Sequence, residues 1–209
     1  MQQKLISLNE YFIQNNSGGD LQNPDVFSYF EKGSKVCLSA PHTTGTFVNK
    51  HLKCADLYTG AITEYIAETC HFSYIVRNKF VPRKVLINDF ILDNKLENHF
   101  FLDIHGMKDG NGFDLAVGTG FMPPEKYAKQ LEYIDKLAQK YNLVYVVNNA
   151  NYVGCAGLTG RLQQATGKAN VLQLEWSKCH RDIFNEFAKV KNITVPFISE
   201  LAALINADN

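Results

Sequence analysis

Six short stretches constrain this chain more than anything else in it: VCLSA, FSYIV, HFFLDIH, LAVGTG, LVYVVNN and NVLQLEW. Each is rich in β-branched and aromatic residues and apolar on both faces, so each reads as a strand with no side turned to water. A sheet of such strands has to be covered on both faces by helices. The segments between them supply those helices. From Pro123 to Tyr141, the residues Tyr127, Leu131, Ile134, Leu137 and Tyr141 recur at helical spacing, and paired prolines open the segment, as suits a first helical turn. A second helix is expected from about Asp56 to Cys70 and a third over FISELAALIN. The sum is an α/β chain, a three-layer α/β/α domain around a mixed, largely parallel central sheet. No repeat, low-complexity block or linker breaks the sequence, and 209 residues suit one catalytic domain, 1–209. NNSGGD at 15–20 reads as a loop, so the first 20 residues are expected to be peripheral.

Charge and cysteine content narrow the function classes. Lysine plus arginine and aspartate plus glutamate both number 21, giving zero formal net charge. No basic excess points to nucleic acid or an anionic membrane surface. No apolar run approaches the roughly 18 residues of a membrane helix, and MQQKLISLNEYF lacks the apolar core and cleavage site of a signal peptide. The five cysteines are odd in number and have no close pair, which suggests neither a disulfide framework nor a cysteine zinc site. A reducing cytoplasm is the simplest setting.

Sites in parallel sheets form where strands end at their carboxyl edge, and polar residues collect at those edges here. The strand in LSAPHTTGT leaves through Pro41 with His42 at its tip; HFFLDIHG ends in Asp103, Ile104, His105 and Gly106; NVLQLEW carries Glu175; and Asp56 opens the helix of CADLYTG. Two histidines and two carboxylates on separate elements make the ligand types of a catalytic zinc, three N/O ligands with one position left for water. Zinc lowers the pKa of bound water to about 7, and a further carboxylate can shuttle the proton. Each residue also has a plainer role. His42 could cap a strand turn, and Asp56 could cap its helix. Asp103 lies two residues before His105 on the same strand face, which permits an Asp–His support pair but equally an isolated buried polar residue. Glu175 sits in so apolar a stretch that burying its charge without a partner is costly. His51, His71, His99 and His180 lie in polar or ambiguous surroundings. GCAGLTGR and ATGKAN are not phosphate loops, because Lys168 is followed by Ala169; the first is expected to be a flexible loop beside the site.

SAPHTTGT, ADLYTGAITEYIAE, FFLDIHGM and VLQLEW, taken together, resemble the N-formylglutamate amidohydrolases, zinc hydrolases similar in fold to zinc carboxypeptidases and poly-gamma-glutamate hydrolases. The resemblance runs from Val36 to about Arg181. It implies a phosphorylase/hydrolase-like, zinc carboxypeptidase-like fold, His42 and His105 as zinc ligands, and Glu175 as general base and acid. Zinc carboxypeptidases take a glutamate three residues after the first histidine, where this chain has Gly45. Relatives with a similar opening use a carboxylate further on, here Asp56; Asp103 is the next candidate.

The expected function is therefore zinc-dependent hydrolysis of a linear amide in a small substrate bearing a carboxylate, such as an N-acyl amino acid or short peptide. A planar guanidinium matches such a carboxylate with two parallel hydrogen bonds. Arg161, in GLTGR before the Glu175 strand, is the first candidate, with Arg77 and Arg83 as alternatives and Asn88 as a further contact. Two other readings stay open: a non-catalytic binding protein that keeps the fold, for which Gly45 speaks, and a zinc peptidase or esterase with a different substrate.

Overall fold

A computed structural model describes residues 1–48 and 51–208. In chain order the elements are α1 (Gln2–Ser17), β1 (Phe27–Phe30), β2 (Val36–Ala40), β3 (Thr46–Val48), β4 (His51–Lys53), α2 (Thr59–Cys70), β5 (Ser73–Arg77), α3 (Ile87–Asp93), β6 (Phe100–Gly106), β7 (Leu115–Gly118), α4 (Ala128–Tyr141), β8 (Tyr145–Val147), α5 (Leu158–Thr166), β9 (Val171–Trp176), α6 (Phe187–Lys189) and α7 (Val195–Asp208). Among the described residues seven strands form one sheet in the order β1-β5-β2-β6-β9-β7-β8. Its centre, β5-β2-β6-β9, is parallel; β1 and β7 run antiparallel to their inner neighbours, and β8 is parallel to β7. All six expected strands are present, in a mixed, mostly parallel sheet flanked by helices.

Successive strand residues face opposite sides of a sheet, and here the two sides carry separate cores. Val36, Leu38, Tyr74, Val76, Leu102, Ile104, Leu172 and Leu174 join the larger core with α1, α2, α4 and α7. Cys37, Ile75, Phe101 and Val171 join the smaller one with Ile87 and Ile91 of α3 and Leu158 and Leu162 of α5. Two positions further along each central strand, that second face turns polar: Ser39, Arg77, Asp103 and Gln173. The smaller core thus ends half-way along the strands, and their carboxyl ends meet polar groups.

Several elements depart from expectation. Helix α2 begins at Thr59, not Asp56, and is preceded by Tyr58 at φ 73. The segment expected to be a flexible loop, GCAGLTGR, enters helix α5, with Leu158 and Leu162 packed into the smaller core. The hairpin of β3 and β4 has no counterpart among the expected strands, since all three β4 residues are exposed and give no alternation. The first segment packs more closely than expected: α1 lies against α2, and Leu5 and Phe12 are buried in the larger core. Its last turn does leave helical angles at Gln14, Asn15 and Asn16, where NNSGGD begins. No helix among the described residues is long and apolar enough to cross a membrane.

Leu5→Ala is expected to destabilise the fold by about 2–5 kcal/mol, the cost of truncating a fully buried leucine. Chemical denaturation reads it. A loss below about 0.5 kcal/mol, typical of surface substitutions, would make α1 a peripheral element after all.

Candidate active site

Four of the central strands deliver side chains to one place. Beyond β2, Pro41 and His42 leave the sheet, and the His42 carbonyl accepts a 2.8 Å hydrogen bond from the Asp56 amide. That bond brings the turn before α2 against the strand exit. On β6, His105 is buried between two carboxylates. Its Nε2–H donates to Asp103 Oδ2 at 2.9 Å, and its Nδ1 lies 3.3 Å from Asp56 Oδ2. The other oxygen of Asp103 accepts from Ser39 Oγ at 2.9 Å. On β9, Glu175 stands beside His105 in the parallel register, and its Oε1 accepts from Gln173 Nε2 at 3.0 Å. The His42 ring lies 5.0 Å from the His105 ring by centroid, with Thr46 Oγ1 at 3.3 Å from its Nδ1.

The structure separates the alternatives for these residues. Asp103 is no isolated polar residue but a support of His105. Asp56 does not cap α2 with its side chain; the carboxylate meets His105 and, at 3.7 Å from Oδ1, the ammonium of Lys53. The local electrostatics follow from burial and these partners. Burial disfavours a charged His105, yet Asp103 and Asp56 together lift its pKa to about 10. Burial opposes the Asp56 charge too, but His105 and Lys53 hold its carboxyl well below the usual range. His42 is pushed well below its ordinary value, by burial first and then by the neighbouring His105 and Lys53 cations. Burial raises Glu175 despite the nearby His105.

His42, His105, Gln173 and Glu175 line a cavity of about 560 Å³, while Asp56 and Asp103 stand behind His105. Of the three candidate arginines, two reach it. Arg77, the last residue of β5, is only 2% exposed; its Nε donates to the Lys79 carbonyl at 3.2 Å, and its guanidinium lies 5.1 Å from the Phe27 ring centroid. Among the described residues no carboxylate forms an ion pair with it, and burial alone lowers its pKa to about 10. Arg161 also lines the cavity, from helix α5 rather than from a loop, with Nε bound to the Ala156 carbonyl at 3.0 Å. Arg83 is exposed and lines a separate, smaller recess. Asn88 on α3 faces the main cavity, its Nδ2 donating to Asp89 and its buried Oδ1 without a partner. Sequence reasoning missed Lys53, Lys84 and Gln173. Only Gln173 carried a signal, two residues before Glu175 on the same strand face.

The donor set suits a zinc ion: two imidazoles and a carboxylate, with an accepting Asp103 to fix the His105 ring. Two atoms each about 2.0 Å from a tetrahedral zinc stand roughly 3.3 Å apart, which is the His105 Nδ1–Asp56 Oδ2 separation of 3.3 Å. Among the described residues, however, no three His, Cys, Asp or Glu side chains already converge as a metal cage.

No family model and no curated protein matches the chain. Solved structures do match its fold. A bacteriophage poly-gamma-glutamate hydrolase superposes with a TM-score of 0.57 and 14% identity, over 90% of this chain and 93% of that one. An N-formylglutamate amidohydrolase from Ralstonia eutropha JMP134 gives 0.58 and 9%, over 88% and 99%. A protein described as zinc-free YNDL gives 0.50 and 14%, over 86% and 92%. The chain shares the α/β fold of these structures, at identities that speak for architecture alone.

Asp103→Ala strips both Ser39 and His105 of their buried acceptor. The expected loss is about 3–5 kcal/mol, as for breaking a buried charged pair, read by urea denaturation. A cost under about 1 kcal/mol, the range of exposed pairs, would show that the His105 ring does not depend on Asp103.

Proposed function

We propose that the protein is a zinc-dependent hydrolase that cleaves an amide bond in a small substrate bearing a carboxylate, an N-acyl amino acid or short peptide-like molecule. The observation that carries this reading is that His42, His105 and Glu175 line one cavity, with Asp56 held against His105 behind them, and that the same wall holds Arg77, a buried cation paired with no carboxylate among the described residues. The fold is shared with a poly-gamma-glutamate hydrolase and an N-formylglutamate amidohydrolase, and one further neighbour is described in a zinc-free form.

His42, Asp56 and His105 would hold the metal. Zinc, when bound, supplies a Lewis acid and a water acidic enough to react near neutral pH. The chain's own residues do the rest. Asp103 holds the His105 ring through Nε2 and leaves Nδ1 facing Asp56. Glu175, with Oε1 occupied by Gln173, keeps its other oxygen for a water proton, which it returns to the leaving amine. A general base of raised pKa suits that exchange. The Arg77 guanidinium binds the substrate carboxylate as a charge-assisted pair, and the unpartnered Asn88 Oδ1 accepts a substrate N–H. Arg161 adds a second cation to the same cavity.

Protein purified without chelator is expected to carry about one zinc per chain, the occupancy of a single catalytic site. His42→Ala and His105→Ala should each lose most of it by elemental analysis, and unchanged zinc in both variants would exclude this site. Glu175→Gln should keep zinc and fold while kcat against N-acyl amino acids falls roughly 100-fold or more. Arg77→Met should lower kcat/KM by about 10- to 100-fold, the loss of one hydrogen bond to a charged group, and leave uncharged amides unaffected. Lys53, a cation already paired with Asp56, favours a second reading, a binding protein without metal; wild-type protein free of zinc and without turnover would decide for it.

A further inference from the structure

Arg181 lies just past β9, outside the residues assigned to chemistry. It is only 7% exposed, and among the described residues it forms no ion pair with a carboxylate. Among the described residues its side-chain hydrogen bonds go to backbone carbonyls on three different segments. Nε donates to the Trp176 carbonyl at 3.2 Å, Nη1 to the Leu57 carbonyl at 2.6 Å, and Nη2 to the Met107 carbonyl at 2.9 Å. Each acceptor sits next to a site residue. Trp176 follows Glu175, Leu57 follows Asp56, and Met107 stands two residues after His105.

Two features of the backbone adjoin this guanidinium. A Cβ on Gly106 would come within 2.2 Å of Arg181 Cζ, so the end of β6 needs a glycine for the arginine to lie across it. Tyr58, directly after Leu57, holds φ 73, a left-handed conformation that non-glycine residues avoid unless their surroundings impose it. A planar fork with five donors can bridge three carbonyls at once, whereas a lysine ammonium is a compact point charge on a flexible stem.

We infer that Arg181 is the positioning residue of the site, a three-way backbone clamp that sets where Asp56, His105 and Glu175 stand relative to one another. In its consequences for metal and turnover this rests on the zinc hydrolase reading; its geometry does not. Productive sites tolerate only about 0.5 Å of displacement, so slack at any one of the three carbonyls matters.

The test uses Arg181→Met and Arg181→Lys in the full chain. Crystal structures should show the His105 Nδ1–Asp56 Oδ2 separation, 3.3 Å in the native protein, changed by more than about 0.5 Å. Zinc affinity, by competition with a chromophoric chelator, should weaken roughly 10- to 100-fold, as for loss of other groups that orient metal ligands. Lysine should not restore it. In Arg181→Ala, millimolar guanidinium should recover zinc affinity while equal urea does not. A merely structural arginine would lower the melting temperature but leave the zinc affinity and site separations of the folded variant at native values, and that result overturns the clamp. If the substitutions prevent folding, Gly106→Ala, which keeps Arg181 but displaces it, takes their place with the same readouts. Wild-type protein that binds no zinc would sink the hydrolase reading, and the crystallographic separations would still decide the clamp.

Discussion

The pleat of four parallel strands governs this molecule. Because side chains alternate, the face that holds Cys37, Ile75, Phe101 and Val171 also presents Ser39, Arg77, Asp103 and Gln173 two residues later, and His105 and Glu175 two later still on the longer strands. The apolar half of that face is capped by α3 and α5. The polar half cannot be covered by apolar side chains without stranding charges. A cavity at the carboxyl edge is the arrangement that satisfies both halves, and the register of β6 with β9 then puts His105 beside Glu175 with no further device.

Burying so many polar groups is tolerable only because they satisfy one another. Ser39, Asp103, His105, Asp56 and Lys53 form an unbroken series running from the sheet interior to the solvent-facing hairpin. Gln173 and Glu175 form a shorter one beside it. Such networks strengthen each bond but make every member expensive to remove. Among the described residues eight buried side-chain atoms lack a hydrogen-bond partner, and of these the Asn88 acceptor belongs to a residue on the cavity wall.

How much of this was legible in the sequence depends on the physics of each element. Strands buried on both faces leave unbroken apolar runs, so all six could be read, and the polar residues ending them could be read as a set. Helix α5 could not, because GCAGLTGR spends three of its residues on Gly154, Gly157 and Gly160 and has too few apolar positions to show a period. Gly160 is there for contact, as a Cβ would come within 2.2 Å of the Cys155 carbonyl oxygen. Lys53 reaches the site only through a hairpin with no apolar alternation. Arg83 and Arg77 looked alike in sequence, but only Arg77 still belongs to the strand and turns inward. Arg181 was hidden for a different reason: its partners are carbonyls, which every residue carries and no sequence advertises.

The charged groups in and around the cavity differ widely in exposure. Asp103, His105, Asp56 and Glu175 are all less than 10% exposed, whereas Lys84 is exposed and Arg161 half-buried. Lys53, with its side chain 44% exposed, bridges the two zones through Asp56. Carboxylates therefore lie inside with two buried cations, His105 and Arg77, while Lys84, Arg161 and Lys53 stand nearer the solvent. In the proposed reading the amide carbonyl of the substrate would sit among the inner donors and its carboxylate would meet Arg77. A cationic or purely apolar ligand would leave Arg77 buried and without a countercharge, which is the costly state for a desolvated guanidinium.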